Sequence, residues 1–164
     1  MRTTYWCLDV DGVLNAWDLS GKKDPPGMVF EHTEIEDTPI HYRRAVIDFV
    51  NEMAARPDVI IVWTTDWTEK ANSLLAPTIG LTGPWDVNPG QQPGESDWPS
   101  RAEWWKLRRV KRWLATGQKV VWTDDDILPR HKPKDPDALV IVPTPSRGLS
   151  DAHLRKIREF IDLP

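Results

Sequence analysis

The chain has 164 residues, a net charge of -4 and a single cysteine. That length suits one domain with a real hydrophobic core. The acidic balance argues against a protein that coats nucleic acid by bulk charge, and one cysteine excludes a disulfide framework and a cysteine-based zinc site. No apolar stretch approaches the ~20 residues of a membrane span and no basic-apolar signal segment opens the chain, so a cytoplasmic protein without membrane contact is expected.

In chain order, "YWCLDV" (Tyr5–Val10) reads as a short buried strand, closed by Asp11-Gly12. Cys7 lies inside it and reads as a plain buried thiol. Residues 16–40 form a mixed region with a turn at "GKKDPPG"; "MVFEHTEIE" after it reads as a strand or half a hairpin. Residues 42–55 place Val46, Phe49, Val50 and Met53 at helical spacing. "DVIIVWTT" (Asp58–Thr65) is a second buried strand. Asp66 and Glu69 fit a capping box that opens a short helix through "EKANSLLA". A Pro/Gly-rich stretch, 77–99, has the length of a lid, with "PWDV" at 84–87 as a candidate strand. A second capping box, Ser100 to Glu103, starts the helix "RAEWWKLRRVKRWLA", with Trp104, Leu107, Val110 and Leu114 as its core stripe. "KVVWT" (119–123) is a third buried strand and "ALVIV" (138–142) a fourth. Gly148 and Ser150 lead into a last helix with Leu154, Ile157, Phe160 and Ile161 on one face. The ten tryptophans are expected mostly in the core or in pocket walls.

Short apolar strands alternating with helices predict a single α/β domain with a doubly wound, three-layer parallel sheet. Ligands in such sheets bind beyond the carboxyl ends of the strands. The polar residues gather at those ends: Asp9 and Asp11 end the first strand, Thr64 and Thr65 the second, and Asp124 to Asp126 the third. Crowded carboxylates repel one another unless a cation intervenes. Oxygen donors select a hard divalent ion, with Mg²⁺ the default. A metal beside a free carboxylate and a hydroxyl suits phosphoryl transfer.

"DVDGVLN" resembles the first motif of the haloacid dehalogenase (HAD) superfamily of phosphohydrolases. "VIIVWTT" is similar to the second motif, Lys106 to the third and "VVWTDDD" to the fourth, in the family's order, over about residues 5 to 142. The phrases "WTTDW", "EWWKL" and "PTPSRGLSDAHL" resemble small actinobacterial and phage HAD-like proteins, including HAD domains linked to RNA repair. The resemblance implies a Rossmann-like HAD fold and a phosphatase that works through an aspartyl-phosphate. It implies Asp9 as nucleophile and Asp11 as general acid/base. Thr65, or Thr64 if the strand ends one residue earlier, would bind the phosphate, and Lys106 would balance its charge. Mg²⁺ would be held by Asp9, Asp11, Asp124 and Asp125; in the family the second aspartate contributes its backbone carbonyl. Asp126 is extra to the usual acidic pair and leaves the register of that motif open; it reads as a helix cap or as support for the metal ligands.

Each residue has a plainer rival. A lone Asp-x-Asp is often a turn or another kind of metal site; Thr64 and Thr65 could merely end a strand. Lys106 stands among several basic residues, and Lys119, its competitor, opens its strand at the wrong end. His32, His41, His131 and His153 lack metal-ligand spacing and read as surface or capping residues. The basic face of the Trp104–Leu114 helix is an ordinary solvated face or a contact for nucleic-acid phosphates. The segment after Asn15 must supply both the flap at 16–40 and a helix, so minimal or no cap is expected, with an open site that admits nucleotides or nucleic-acid ends. Two other classes fit part of the pattern. A phosphoryl-binding switch would hold phosphate without turnover, and a non-catalytic HAD-like partner of a protein or RNA would have lost the nucleophile.

Overall fold

The computed structural model describes residues 2–88 and 104–164. Five parallel strands form one sheet in the order β5-β4-β1-β6-β7. They are β1 (Thr4–Leu8), β4 (Val59–Trp63), β5 (Asp86–Val87), β6 (Lys119–Thr123) and β7 (Ala138–Ile141). β2 (Glu31–Ile35) and β3 (Thr38–Tyr42) form a separate antiparallel hairpin. The helices are α1 (Arg44–Ala54), α2 (Ala76–Ile79), α3 (Trp105–Ala115) and α4 (Asp151–Asp162). A doubly wound parallel sheet of this kind is the expected HAD-like architecture.

The chain winds from β1 outward through β4 to β5, then crosses to β6 on the other side of β1. Right-handed crossovers in opposite directions place their helices on opposite faces. Side-chain alternation follows. Trp6 and Leu8 pack on the face covered by α1, α2 and α4, with Ile47, Val50, Ile79 and Ile157. Cys7, Val120 and Trp122 pack on the other face under Leu107 and Val110 of α3. Burial pushes the Cys7 thiol up to about 12, which keeps it an inert core group. The switch point lies between β1 and β6, where a ligand site is expected at the carboxyl ends.

Several sequence expectations need correction. β1 closes at Leu8, so Asp9 and Val10 lie beyond the strand. Tyr42 belongs to β3, and α1 begins at Arg44. The capping box at Asp66 does not form: Thr68 takes a positive φ of 50°, and a wide π turn begins only at Ala71. Pro77 sits in α2, which continues directly from that π turn, rather than opening a loop. Phe160 packs at the edge of the core, only partly buried.

"PWDV" does hold a strand, β5. The rest of the expected lid, 89–99, the Ser100–Glu103 capping box and the start of that helix at 101–103 lie outside the described residues. Trp104 and Leu114 of the α3 stripe are partly buried beside Leu107 and Val110. Ser150 caps α4 in a reciprocal box with His153. Between β1 and α1 the chain adds only a short 3-10 turn (Trp17–Leu19) and the β2–β3 hairpin. Among the described residues, no helix is long and apolar enough to cross a membrane.

Candidate active site

The loop after β1 is built around backbone bonds. The Val10 carbonyl accepts from the N–H groups of Val13, Leu14 and Asn15. Gly12 makes the turn at φ +72°, and a Cβ there would sit 2.2 Å from the Asp125 carboxyl carbon. Glycine at this position serves both the left-handed conformation and the close approach of the acidic loop after β6. On the far side, Leu149 N–H donates to the Val13 carbonyl at 2.9 Å, so the loop after β7 also braces this turn.

Asp9 is 6% exposed and Asp124 0%. Lys106, reaching in from α3, donates to both: its Nζ is 2.6 Å from Asp9 Oδ2 and 2.6 Å from Asp124 Oδ2. Asp9 Oδ1 accepts from Val10 N–H at 2.7 Å. Thr65 lies close enough to Asp9 for its hydroxyl to favour the ionised carboxylate. Thr64 points the other way, donating to the Val62 carbonyl and meeting Cys7. Side-chain alternation at the end of β4 thus puts Thr65, and not Thr64, beside Asp9.

Asp9, Asp124 and Asp125 each offer an oxygen, and these oxygens lie within 4.8 Å of one another. Burial raises the pKa of Asp9 despite Lys106. Burial, then the Asp9 charge, pushes Asp124 up to about 8. Burial likewise pushes Asp125 up to about 6, against a hydrogen bond from Trp17. Burial opposes the Lys106 charge, but the two carboxylates outweigh it and hold its pKa above the ordinary lysine range. One ammonium cannot neutralise three carboxylates; ionised, they leave two unbalanced negative charges, the charge of one divalent cation. All-oxygen donors and that deficit fit a hard ion such as Mg²⁺. Asp126 is exposed and caps no helix; its backbone N–H donates to Asp124 Oδ1 at 2.9 Å.

The Asp11 carboxyl is outside that trio. Its Oδ1 accepts from Asn15 Nδ2 at 2.8 Å and its Oδ2 from Trp67 Nε1 at 2.9 Å. The two aspartates of the motif thus have different partners: Asp9 meets Lys106, and Asp11 meets Asn15 and Trp67. Asn15 also accepts from His41 N–H, at 2.9 Å, which ties Asp11 to the hairpin. Trp17 Nε1 donates to Asp125 Oδ2 at 3.3 Å. Asn15, Trp17 and Trp67 escape sequence reasoning. Asn15 carries the one available signal, since it closes the "DVDGVLN" phrase.

Lys119 is buried at the amino end of β6 and donates to the last carbonyls of α4, those of Phe160 and Leu163, at 2.5 and 2.7 Å. It is a structural lysine remote from the carboxyl edge. His32 and His41 pair with each other on the hairpin, Nδ1 to Nδ1 at 2.8 Å.

A family model described as the HAD domain in Swiss Army Knife RNA repair proteins matches residues 6–154. The comparison with curated proteins found no match. The family is of the HAD hydrolase type, whose members are generally Mg²⁺-using phosphatases, and this chain carries an acidic trio, two of its members buried, that could hold a metal ion. With that match over most of its length, the chain belongs to the HAD superfamily, in the family of HAD domains found in RNA repair proteins.

Proposed function

We propose that this protein is a Mg²⁺-dependent phosphohydrolase that forms an aspartyl-phosphate on Asp9 and acts on an accessible phosphomonoester, with nucleic-acid ends as the substrate class. The observation that carries the reading is Lys106, buried and shared between Asp9 and Asp124 at 2.6 Å each. A buried cation there holds a nucleophilic carboxylate in place and faces an incoming phosphate. The RNA-repair description of the matching family and the absence of any added cap in the described residues favour a polymer end.

Asp9 attacks phosphorus, and the bond to the leaving oxygen breaks as Asp11 gives that oxygen a proton. Asp11 then takes a proton from water, which attacks phosphorus and breaks the bond to Asp9, releasing phosphate. The grip of Asn15 and Trp67 on both Asp11 oxygens fixes that carboxyl for the two transfers. Thr65 would donate its hydroxyl to the phosphate beside Asp9. Asp9, Asp124 and Asp125 would hold the cation, with the Asp11 carbonyl as the family resemblance implies. When bound, the cation supplies charge neutralisation on the phosphate oxygens.

The test is hydrolysis of an aryl phosphate and of 5′- and 3′-phosphorylated RNA ends, with Mg²⁺ and with excess chelator. Hydrolysis that needs Mg²⁺ supports the reading; undiminished turnover in chelator overturns it. A stable phosphorylated protein without turnover would instead identify a phosphoryl switch.

A further inference from the structure

A general acid must touch the leaving-group oxygen. Whatever is esterified to the phosphate therefore extends past the Asp11 carboxyl. On that side the surface opens into a depression of about 380 Å³ lined by Asp11, Asn15, Trp17, Ser20, Thr38 and Pro39. Asp9, Thr65, Lys106 and Asp124 do not line it. The space thus begins at the general acid and leads away from the phosphate end of the site.

Its large apolar surface is Trp17, whose indole is 48% exposed; every other described tryptophan is buried or half-buried. The turn that carries it is well anchored, because Ala16 and Leu19 bury with Phe30 in a small core of their own. The Nε1–H bond to Asp125 tethers the indole at its edge. An exposed, tethered indole beside a catalytic carboxyl is a stacking platform, sequence-tolerant because every base has a π-face. The hairpin wall is equally fixed: Asn15 Nδ2 bonds both Asp11 and the Pro39 carbonyl, and Ser20 Oγ lies 3.0 Å from His41 Nε2. The hydroxyls of Ser20 and Thr38 add polar groups suited to a sugar.

We propose that this depression is the leaving-group subsite and that Trp17 stacks on a nucleobase, so that the substrate is a nucleotide-type phosphomonoester. This rests on the phosphohydrolase reading for its orientation. Two sources share that chemistry: a free nucleoside monophosphate and the terminal nucleotide of an RNA strand.

The test must separate stacking from support of Asp125. Trp17→Phe keeps a ring and loses the Nε1–H donor; Trp17→Leu loses both. The readout is the ratio of kcat/KM for 3′-adenosine monophosphate to that for glycerol phosphate, in Mg²⁺. A ratio cancels any damage to Asp125 that both substrates share. Stacking predicts that Trp17→Leu lowers the ratio by roughly 5- to 150-fold, the scale of one base–aromatic stack, while Trp17→Phe keeps most of it. Equal losses on both substrates, with the ratio unchanged in Trp17→Leu, would overturn the proposal. A binding arm does not need turnover. Calorimetry on Asp9→Asn protein should show adenosine monophosphate bound more tightly than glycerol phosphate, and Trp17→Leu should erase the preference. No preference in Asp9→Asn protein overturns the subsite; a Trp17-dependent preference in a protein that hydrolyses nothing overturns the hydrolase reading alone. A 3′-phosphorylated oligoribonucleotide run beside the mononucleotide identifies the source, and either preference sustains the proposal.

Discussion

Replacing Lys106 with methionine keeps the length of the side chain and removes its charge. In the structure that charge sits 2.6 Å from each of two carboxylates, on a side chain 5% exposed. Breaking a buried ion pair by removing one partner costs about 3–5 kcal/mol, because the remaining charge is left uncompensated. Here two carboxylates are stranded, so we predict a loss of that size by urea unfolding at pH 8 in chelator. The loss should shrink toward pH 5. Asp124, raised to about 8 by burial and then by Asp9, binds protons in the folded state that it lacks when unfolded. Stability without metal therefore falls as pH rises from the ordinary carboxylate range toward 8, and more steeply once Lys106 is gone. Mg²⁺ should restore part of the stability but little of the activity, with aryl phosphate turnover down about 10²–10³-fold, the scale of one lost electrostatic stabiliser. A Lys106→Met protein as stable as the parent at pH 8 in chelator, and active within a few-fold, would refute the reasoning.

Asp11→Asn should slow turnover by about 10²–10⁴-fold, the usual worth of general acid/base help, and the loss should be smaller for a good leaving group; equal losses across leaving groups in steady-state assays would contradict the role. Gly12→Ala forces a positive φ on a residue with a Cβ and drives that atom into the Asp125 carboxyl; we predict about 1–3 kcal/mol of destabilisation and a higher Mg²⁺ requirement, read by thermal melts and a Mg²⁺ titration. Arg44, then Tyr42, hold Glu31 down to about 2. Their stabilisation is complete above the ordinary glutamate pKa and is lost as pH falls toward 2; Glu31→Gln should flatten that limb of the acid-unfolding curve, and hydrogen exchange should localise the change to the hairpin. Neutralising Arg109 and Arg112 on α3 should weaken binding of single-stranded RNA and flatten its salt dependence, while hydrolysis of a small aryl phosphate changes little; equal losses in both would place the damage in the fold or the site.

The legible parts of this protein were those written in local pattern. The runs at Tyr5, Asp58, Lys119 and Ala138 each became a parallel strand, because short two-sided apolar runs have few other uses. Asp9, Thr65 and Asp124 were legible because each sits just past a strand end, where topology gathers them; Lys106 sits on α3 and was legible through the order of the family's motifs. The hairpin was only half legible. Its turn uses Glu36 and Asp37, both at positive φ, in place of the Asn-Gly or Asp-Gly pair that would announce it. The Asp66 capping box failed because the neighbouring residues serve the site: Thr65 meets Asp9 and Trp67 meets Asp11, and the chain between them follows those contacts instead of capping a helix. Trp17, Trp67 and Asn15 arrive through tertiary contacts from loops, which no periodicity encodes.

The central claim is that Asp9 carries a phosphoryl group during turnover. Its most direct test is acid-quench trapping of labelled phosphate on the protein, compared among the wild type, Asp9→Asn and Asp11→Asn. The wild type should show transient label. Asp11→Asn should accumulate it, because attack survives with a good leaving group while hydrolysis of the intermediate is slowed. Asp9→Asn should show none. Label on Asp9→Asn protein at the wild-type level would contradict the assignment of Asp9 as nucleophile.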